Sequence, residues 1–224
     1  LLHESGVYEV IMNIKGRPLN TVDVTALECY KTYIKLFENN YSDCIRIFNF
    51  MEVTVTKNNN EILSTKYEPN MILTLPVYNG TTLFSTLKQC LLEYCKPEYM
   101  KGDNKWYNEK LGLYEEVIRQ TMFWNLPPVI IIHLKRFNNF NQKFVHHIDI
   151  PVTDLDLSEF ICGYKRLSYV YNLHAVILHA GGVRGGHYVC NIYRNGKWWR
   201  CNDSSVTKLE DPIITKDAYC LFYT

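Results

Sequence analysis

Two short runs rich in β-branched and aromatic residues, joined by Asn195-Gly196, constrain the fold most strongly. Residues 187–193 read His-Tyr-Val-Cys-Asn-Ile-Tyr, and residues 197–201 read Lys-Trp-Trp-Arg-Cys. An Asn-Gly dipeptide between such runs is typical of a two-residue β-hairpin turn. A hairpin closed there returns the end of the second strand to the start of the first. We therefore expect Asn202 and Asp203 to lie beside His187.

A glycine-rich segment, Gly-Gly-Val-Arg-Gly-Gly at residues 181–186, immediately precedes His187. Glycines at this density allow a loop to move and another backbone to approach closely, whereas the strand that follows holds the imidazole. A histidine with an Asn or Asp partner is the base and orienting group of a nucleophilic triad. The alternative is structural: a glycine-rich turn, a core histidine, and Asn202-Asp203 as ordinary turn residues.

Elsewhere the pattern of apolar residues predicts an α+β fold with a mostly antiparallel sheet. Apolar residues recur every three or four positions in two segments of the first half, predicting helices at Thr25–Phe37 and Thr82–Tyr94. Strands are predicted at Ile45–Thr56, Ile62–Tyr67, Met71–Val77, Val129–Ile132, Tyr171–His179, Lys197–Asn202 and Ala218–Tyr223.

Composition excludes several classes of function. The chain has 24 basic and 23 acidic residues and no long run of like charge, which argues against nucleic acid or anionic lipid as a partner. Its longest nearly apolar run, Leu126–Leu134, is far shorter than the ~20 residues that span a bilayer. Its eight cysteines include no Cys-x-x-Cys pair, and no signal peptide opens the chain. We expect a soluble cytoplasmic protein with reduced thiols.

Four segments, in order, resemble the ubiquitin-specific proteases, the papain-like cysteine deubiquitinases. They are Phe-Trp-Asn-Leu-Pro-Pro-Val-Ile-Ile-Ile-His-Leu-Lys-Arg-Phe at 123–137, Ile-Asp-Ile-Pro at 148–151 with Leu-Asp-Leu at 155–157, Gly-Gly-His-Tyr at 185–188, and Trp-Arg-Cys-Asn-Asp-Ser-Ser-Val at 199–206 leading to Ala-Tyr-Cys-Leu-Phe-Tyr at 218–223. Weaker similarity upstream extends the resemblance over nearly the whole chain.

The resemblance implies a papain-like fold with fingers and palm and with most of the thumb missing. Residues 1–44 would end the thumb and connecting helix, 45–125 would form a fingers-like insertion, and 126–224 the palm. His187 would be the general base, Asn202 the third triad member, and Asp203 a neighbour able to share or replace that role. Residues 180–186 and 138–143 would flank the channel for ubiquitin's C-terminal tail, which Gly181, Gly182, Gly185, Gly186 and Tyr188 would line.

The chain departs from the family pattern at the nucleophile and at the zinc site. The family's nucleophilic cysteine stands in an Asn-x-Gly-x-Thr-Cys-Tyr context, which none of the eight cysteines has, so we expect it upstream of this chain. Many members bind zinc at the fingertip through two Cys-x-x-Cys pairs. Here the corresponding residues are Lys57, Asn60, Asn108 and Leu111, so we expect no metal and no other cofactor. His146-His147 is a poor ligand pair because adjacent strand residues point to opposite faces.

The resulting prediction is a thiol-dependent deubiquitinase that acts on ubiquitin and ubiquitinated proteins as a monomer. It would hydrolyse the bond after ubiquitin's C-terminal glycine, and this chain alone would be inactive because it lacks the nucleophile. A non-catalytic ubiquitin-binding or scaffold protein is the alternative. Retention of His187, Asn202 and Asp203 together argues against that alternative. An unrelated hydrolase using a local cysteine is a third possibility, but no cysteine has the required helix-start or basic context.

Overall fold

The computed structural model describes residues 47–163 and 168–224. The described residues fall into two compact units that interleave along the sequence. One contains 47–70, 95–127 and 159–163, and the other contains 71–94, 128–158 and 168–224. The helix predicted at 25–37 and the predicted 1–44 segment lie outside the described residues.

The described residues contain one complete helix of eight residues, helical backbone at Ile47 and Phe48, two short 3-10 helices and fifteen strands. The helix is α1 (Leu87–Tyr94), and the 3-10 helices are Gly102–Asn104 and Ser158–Phe160. The strands are β1 (Phe50–Lys57), β2 (Ile62–Asn70), β3 (Ile72–Pro76), β4 (Glu98–Met100), β5 (Trp106–Asn108), β6 (Leu113–Glu115), β7 (Val117–Asn125), β8 (Ile130–Lys135), β9 (Leu155–Asp156), β10 (Val170–Tyr171), β11 (Leu173–Gly182), β12 (Gly185–Arg194), β13 (Lys197–Asn202), β14 (Ser205–Leu209) and β15 (Ala218–Tyr223).

The first unit is built on a four-stranded antiparallel sheet in the order β2-β1-β7-β4, with β5 and β6 forming a separate hairpin. The predicted hairpin of β1 and β2 is confirmed. The sequence interpretation missed β7 because Arg119-Gln120-Thr121 interrupts its apolar residues. On the buried side of this sheet, Phe50 and Phe123 pack edge to face with ring centroids 5.8 Å apart.

The second unit contains a seven-stranded sheet in the order β14-β13-β12-β11-β15-β8-β3. Only β3 and β8 pair in parallel; the other neighbours are antiparallel. The predicted mostly antiparallel sheet is therefore confirmed. Its central strands β8, β11 and β15 are rich in β-branched and aromatic residues and carry the core, including Ile130, Ile132, Val176 and Tyr223.

The helix in the second unit begins five residues later than the predicted Thr82–Tyr94, at Leu87. A reciprocal cap at Thr86 and Gln89 explains the later start. The backbone N–H of Gln89 donates to Thr86 Oγ1 at 3.2 Å, and Gln89 Oε1 accepts from the backbone N–H of Ser85 at 2.8 Å and of Thr86 at 3.2 Å. This capping box satisfies donors that the first helical turn leaves free.

The predicted Asn-Gly hairpin joins β12 and β13. Asn195 has φ of 53° and Gly196 has φ of 74°, as a two-residue turn with both central residues left-handed requires. The register pairs Arg194 with Lys197 and continues to Cys190 opposite Cys201. Among the described residues, no helix is long and apolar enough to cross a membrane.

Candidate active site

His187 lies on β12, opposite Ala180 of β11, and its side chain is 52 % exposed. Its Nε2 lies 2.5 Å from Asn202 Oδ1 at the end of β13. A carbonyl oxygen can only accept, so this hydrogen bond places the ring proton on Nε2. The other ring nitrogen, Nδ1, is then unprotonated in the neutral imidazole and can accept a proton.

Asp203 is the second acidic or amide candidate, and it lies farther from the imidazole than Asn202 does. Its Oδ2 is 3.9 Å from His187 Nε2, beyond hydrogen-bond distance, and its side chain is 81 % exposed. Asp203 has φ of 49°, a left-handed conformation in the turn between β13 and β14. That turn directs the chain away from His187 after Asn202. The structure thus brings all three predicted residues together, with Asn202 as the direct partner.

The glycine-rich segment is a paired hairpin end rather than an open loop. Gly181 pairs with Gly186 and Gly182 with Gly185, which leaves only Val183-Arg184 as the turn. The strand therefore starts at Gly185, two residues before its predicted start at His187.

The four glycines divide into two kinds. A Cβ at Gly181 would lie 2.5 Å from Gly186 Cα, and a Cβ at Gly186 would lie 2.2 Å from His179 Nε2. Those two positions require glycine because of packing within the chain. Gly182 and Gly185 have nothing within 4 Å of an added Cβ, so they face open space.

Beside these glycines lies a cluster of rings around the buried His179, which the sequence interpretation did not single out. His179 stacks on Tyr188 with centroids 4.5 Å apart and also contacts Tyr219 and Phe137 at 5.4 and 5.8 Å. Burial, together with the positive charge of Lys143, lowers the pKa of His179, which Asp217 partly opposes. His179 is therefore a neutral, packed ring at neutral pH. His179 and Tyr188 lie directly opposite each other where β11 and β12 pair. Two rings on either side of the glycine-rich segment were the only signal of this contact in the sequence.

Lys143 ties the 138–143 segment to this cluster. Its ammonium donates to the backbone carbonyl of His179 and lies 3.5 Å from Asp217 Oδ1, and the side chain is only 7 % exposed. The backbone N–H of His179 donates in turn to the carbonyl of Asp217 at 2.9 Å. Lys143, His179 and Asp217, from three separate segments of the chain, thus contact one another beside Tyr188.

Arg136 supports the other end of the same segment from a fully buried position. Its guanidinium donates to the carbonyls of Ala218 at 2.6 Å, Phe144 at 2.9 Å and His146 at 3.0 Å. The backbone of Phe144 also donates to the carbonyl of Arg136 at 2.7 Å, closing a short hairpin. The tip of that hairpin carries Phe140, whose ring is exposed.

The six described cysteines offer no activated thiol beside His187. Burial raises the pKa of Cys90, Cys162 and Cys220 to about 11 each, raises that of Cys95 to about 12, and raises that of Cys190. A raised pKa disfavours the thiolate that a nucleophile requires. Cys190 and Cys201 alternate with His187 and Asn202 along their strands, so they point to the opposite face of the sheet. Cys29 and Cys44 lie outside the described residues.

The predicted fingertip positions fall at or next to turns of the first unit. Lys57 ends β1, Asn60 follows in the turn to β2, and Asn108 and Leu111 border the turn from β5 to β6. Within residues 47–163 and 168–224, no group of three or more His, Cys, Asp or Glu side chains could hold a metal ion. His146 and His147 do not form a pair of ligands: His146 Nε2 instead lies 2.9 Å from the carbonyl of Phe84.

Comparison with known proteins gives a consistent result. A family model described as ubiquitin carboxyl-terminal hydrolase matches residues 8–223. Ubiquitin carboxyl-terminal hydrolase 15 of Mus musculus is 38 % identical over 146 residues, covering 62 % of this chain and 15 % of the relative. Ubiquitin carboxyl-terminal hydrolase 12 of Saccharomyces cerevisiae is 33 % identical over 186 residues, covering 80 % and 14 %. Ubiquitin carboxyl-terminal hydrolase 4 of Bos taurus is 33 % identical over 170 residues, covering 73 % and 18 %. The chain therefore spans less than a fifth of these relatives.

Proposed function

Because the chain belongs to the ubiquitin carboxyl-terminal hydrolase family, we propose that it supplies the general base and its orienting amide to a thiol-dependent deubiquitinase. The reaction is hydrolysis of the isopeptide or peptide bond that follows the C-terminal glycine of ubiquitin. One observation carries the proposal: the 2.5 Å contact from His187 Nε2 to Asn202 Oδ1, because it leaves Nδ1 free to take up a proton.

In the first half of the reaction, Nδ1 of His187 takes the proton of a cysteine thiol and the thiolate attacks the carbonyl carbon of the glycine. The imidazolium then gives that proton to the leaving amine as the carbon–nitrogen bond breaks. A thioester remains between cysteine and ubiquitin. In the second half, Nδ1 takes a proton from water and the hydroxide attacks the thioester carbon. The carbon–sulfur bond then breaks, and the imidazolium returns the proton to the cysteine sulfur as ubiquitin leaves with a free C-terminal carboxyl group.

Asn202 acts on His187 throughout these steps. Its Oδ1 accepts the Nε2–H hydrogen bond, which keeps the proton on Nε2 and Nδ1 available to the thiol. The same oxygen stabilises the imidazolium when Nδ1 becomes protonated, because a hydrogen bond to a charged donor is stronger than one to a neutral donor. Asp203, at 3.9 Å, adds a weaker, solvent-screened attraction.

The nucleophile in this proposal precedes Leu1 in the full-length protein, within the family's Asn-x-Gly-x-Thr-Cys segment. Support comes from the raised pKa of five described cysteines and from the placement of Cys190 and Cys201 on the face away from His187. On this view the chain alone binds no substrate productively and hydrolyses none.

Gly181, Gly182, Gly185, Gly186 and Tyr188 form one wall of the slot for ubiquitin's tail in this proposal. A tail that ends in two glycines needs backbone close on both sides. The open space at Gly182 and Gly185, and the exposed ring of Tyr188, support that use. We further propose a fingers-like insertion at 45–125 and a palm at 126–224, and that the protein works as a cytoplasmic monomer on ubiquitin and ubiquitinated proteins.

The test is hydrolysis of isopeptide-linked diubiquitin by the full-length protein, comparing wild type with His187→Ala and His147→Ala. His147 is an exposed histidine outside the proposed site and serves as the matched control. We expect His187→Ala to lower kcat/KM by at least about 10²-fold and His147→Ala to leave it unchanged. A full-length protein that binds ubiquitin but does not hydrolyse it would instead support the non-catalytic alternative.

A further inference from the structure

Two free thiols, Cys190 and Cys201, face each other across β12 and β13. Residues directly opposed in an antiparallel pair have Cα atoms about 4.5–5.5 Å apart and side chains on the same face. Disulfides span Cα separations of about 4.4–6.8 Å, a range that includes the separation of such a pair, and they need Cβ atoms about 3.5–4.5 Å apart. A bridge therefore requires only a small approach of the two Cβ atoms. The negative charge of Cys201 contributes, after burial, to the raised pKa of Cys190, as expected for neighbouring sulfur atoms.

The pair lies on the more accessible face of its hairpin. On β12 the flanking residues Val189 and Asn191 point the other way and are buried, whereas Cys190 and Cys201 are both half-exposed. A small oxidant can therefore approach from solvent. Cys220 lies in the same row across the sheet, but Ile177 of β11 separates it from Cys190, so Cys201 is the nearest partner.

The location links these thiols to the candidate active site. Cys201 directly precedes Asn202, and Cys190 follows His187 by three residues, with both thiols on the opposite face of the sheet from the imidazole. A disulfide between them would link β12 and β13 next to His187 and Asn202. It would lie on the opposite face of the sheet from the His187–Asn202 hydrogen bond.

We propose that Cys190 and Cys201 form a cross-strand disulfide when the chain meets a small-molecule disulfide such as oxidised glutathione. One cysteine, as its thiolate, attacks a glutathione sulfur and releases one glutathione thiolate, giving a mixed disulfide. The second attacks the protein sulfur of that mixed disulfide and releases the other glutathione. Two protein thiols are thereby oxidised and one glutathione disulfide is reduced to two thiols, so electrons and atoms balance.

The test treats the chain with oxidised glutathione, blocks the remaining thiols, and maps the products by non-reducing trypsin digestion and mass spectrometry. Trypsin cuts after Arg194 and Arg200, between the two cysteines, so a bridge joins two peptides that otherwise separate. We expect this joined pair in wild type, its disappearance on reduction, and slower amide hydrogen exchange in the oxidised hairpin than in the reduced one. This outcome does not depend on the proposed hydrolase activity.

Matched variants distinguish this pair from other thiols. Cys190→Ala and Cys201→Ala should each abolish the joined peptides and leave glutathione on the remaining cysteine, whereas Cys220→Ala should leave the bridge intact. The proposal is overturned if wild type carries glutathione on Cys190 or Cys201 without a bridge, if both thiols remain free, or if either one pairs with a different cysteine.

Discussion

Replacing Asn202 with alanine should lower catalytic efficiency far more than replacing its neighbour Asp203. The substitution removes the amide oxygen that accepts the hydrogen bond from His187 Nε2, at 2.5 Å. The bond is made by a neutral ring in the ground state and by an imidazolium in the transition state. A hydrogen bond to a charged group contributes about 1.5–3 kcal/mol. We therefore expect kcat/KM to fall about 10- to 150-fold.

Asp203→Ala provides the matched comparison. Its carboxylate lies 3.9 Å from the same nitrogen and its side chain is 81 % exposed, so solvent screens its attraction to the imidazolium. An exposed pair of this kind contributes at most about 1 kcal/mol, which corresponds to less than about a fivefold loss. Asn202→Asp retains an acceptor at the same position and should preserve most of the activity.

The assay is steady-state hydrolysis of an isopeptide-linked ubiquitin substrate by the full-length protein, with kcat and KM determined separately. The loss in Asn202→Ala should appear mainly in kcat, because Asn202 acts through His187 and not on the substrate. If Asp203→Ala proved more damaging than Asn202→Ala, the assignment of Asn202 as the orienting group would be wrong.

Three further predictions concern stability. Gly186→Ala should lower the free energy of unfolding by about 1–3 kcal/mol or more, because its Cβ would lie 2.2 Å from His179 Nε2. Gly182→Ala, with open space around the added Cβ, should change the free energy of unfolding by less than about 0.5 kcal/mol. Thermal unfolding compares the two variants, and equal effects would contradict the packing argument. Arg136→Met should cost about 3 kcal/mol or more in urea unfolding, because one buried and two part-buried carbonyls lose their donor, and an unchanged midpoint would refute that role. Burial lowers the pKa of three histidines in the folded protein below the unfolded value of about 6.5, so the unfolded state binds more protons as the pH falls. The free energy of unfolding should be at its full value above about pH 6.5 and should decrease as the pH drops below about 6.5. A higher free energy of unfolding on acidification would contradict this. The three are His133, His146 and His179.

The part of the fold that the sequence predicts well is the part in which local patterns and tertiary packing agree. The Asn195-Gly196 turn requires left-handed backbone at both residues, and Asn and Gly are the residues that adopt it most readily. That turn determines the register of β12 and β13, and so the approach of Asn202 to His187. The strand predicted at Val129–Ile132 is also present, as β8, although it runs from Ile130 to Lys135 with alternate residues buried.

What the sequence could not predict depends on long-range pairing. β7 lies between β1 and β4, and its polar Arg119-Gln120-Thr121 segment is held by pairing with β1, with Arg119 also paired to β4. The resemblance implied Asn202 as the third triad member but left Asp203 able to share or replace that role. The coordinates separate the two residues, because the left-handed φ of Asp203 turns the chain after Asn202 and leaves its carboxylate 3.9 Å from the imidazole. The pairing of the glycines was also hidden, because glycine density suggests mobility in sequence but here permits close backbone packing.

The most direct test of the central claim, that His187 serves as base to a cysteine that precedes Leu1 in the full-length protein, is covalent labelling with a ubiquitin C-terminal electrophile. The full-length protein should form one adduct, mass spectrometry should place it on a cysteine upstream of Leu1, and His187→Ala should abolish or greatly slow its formation. An adduct on any of the eight cysteines of this chain, or labelling at an unchanged rate in His187→Ala, would contradict the account.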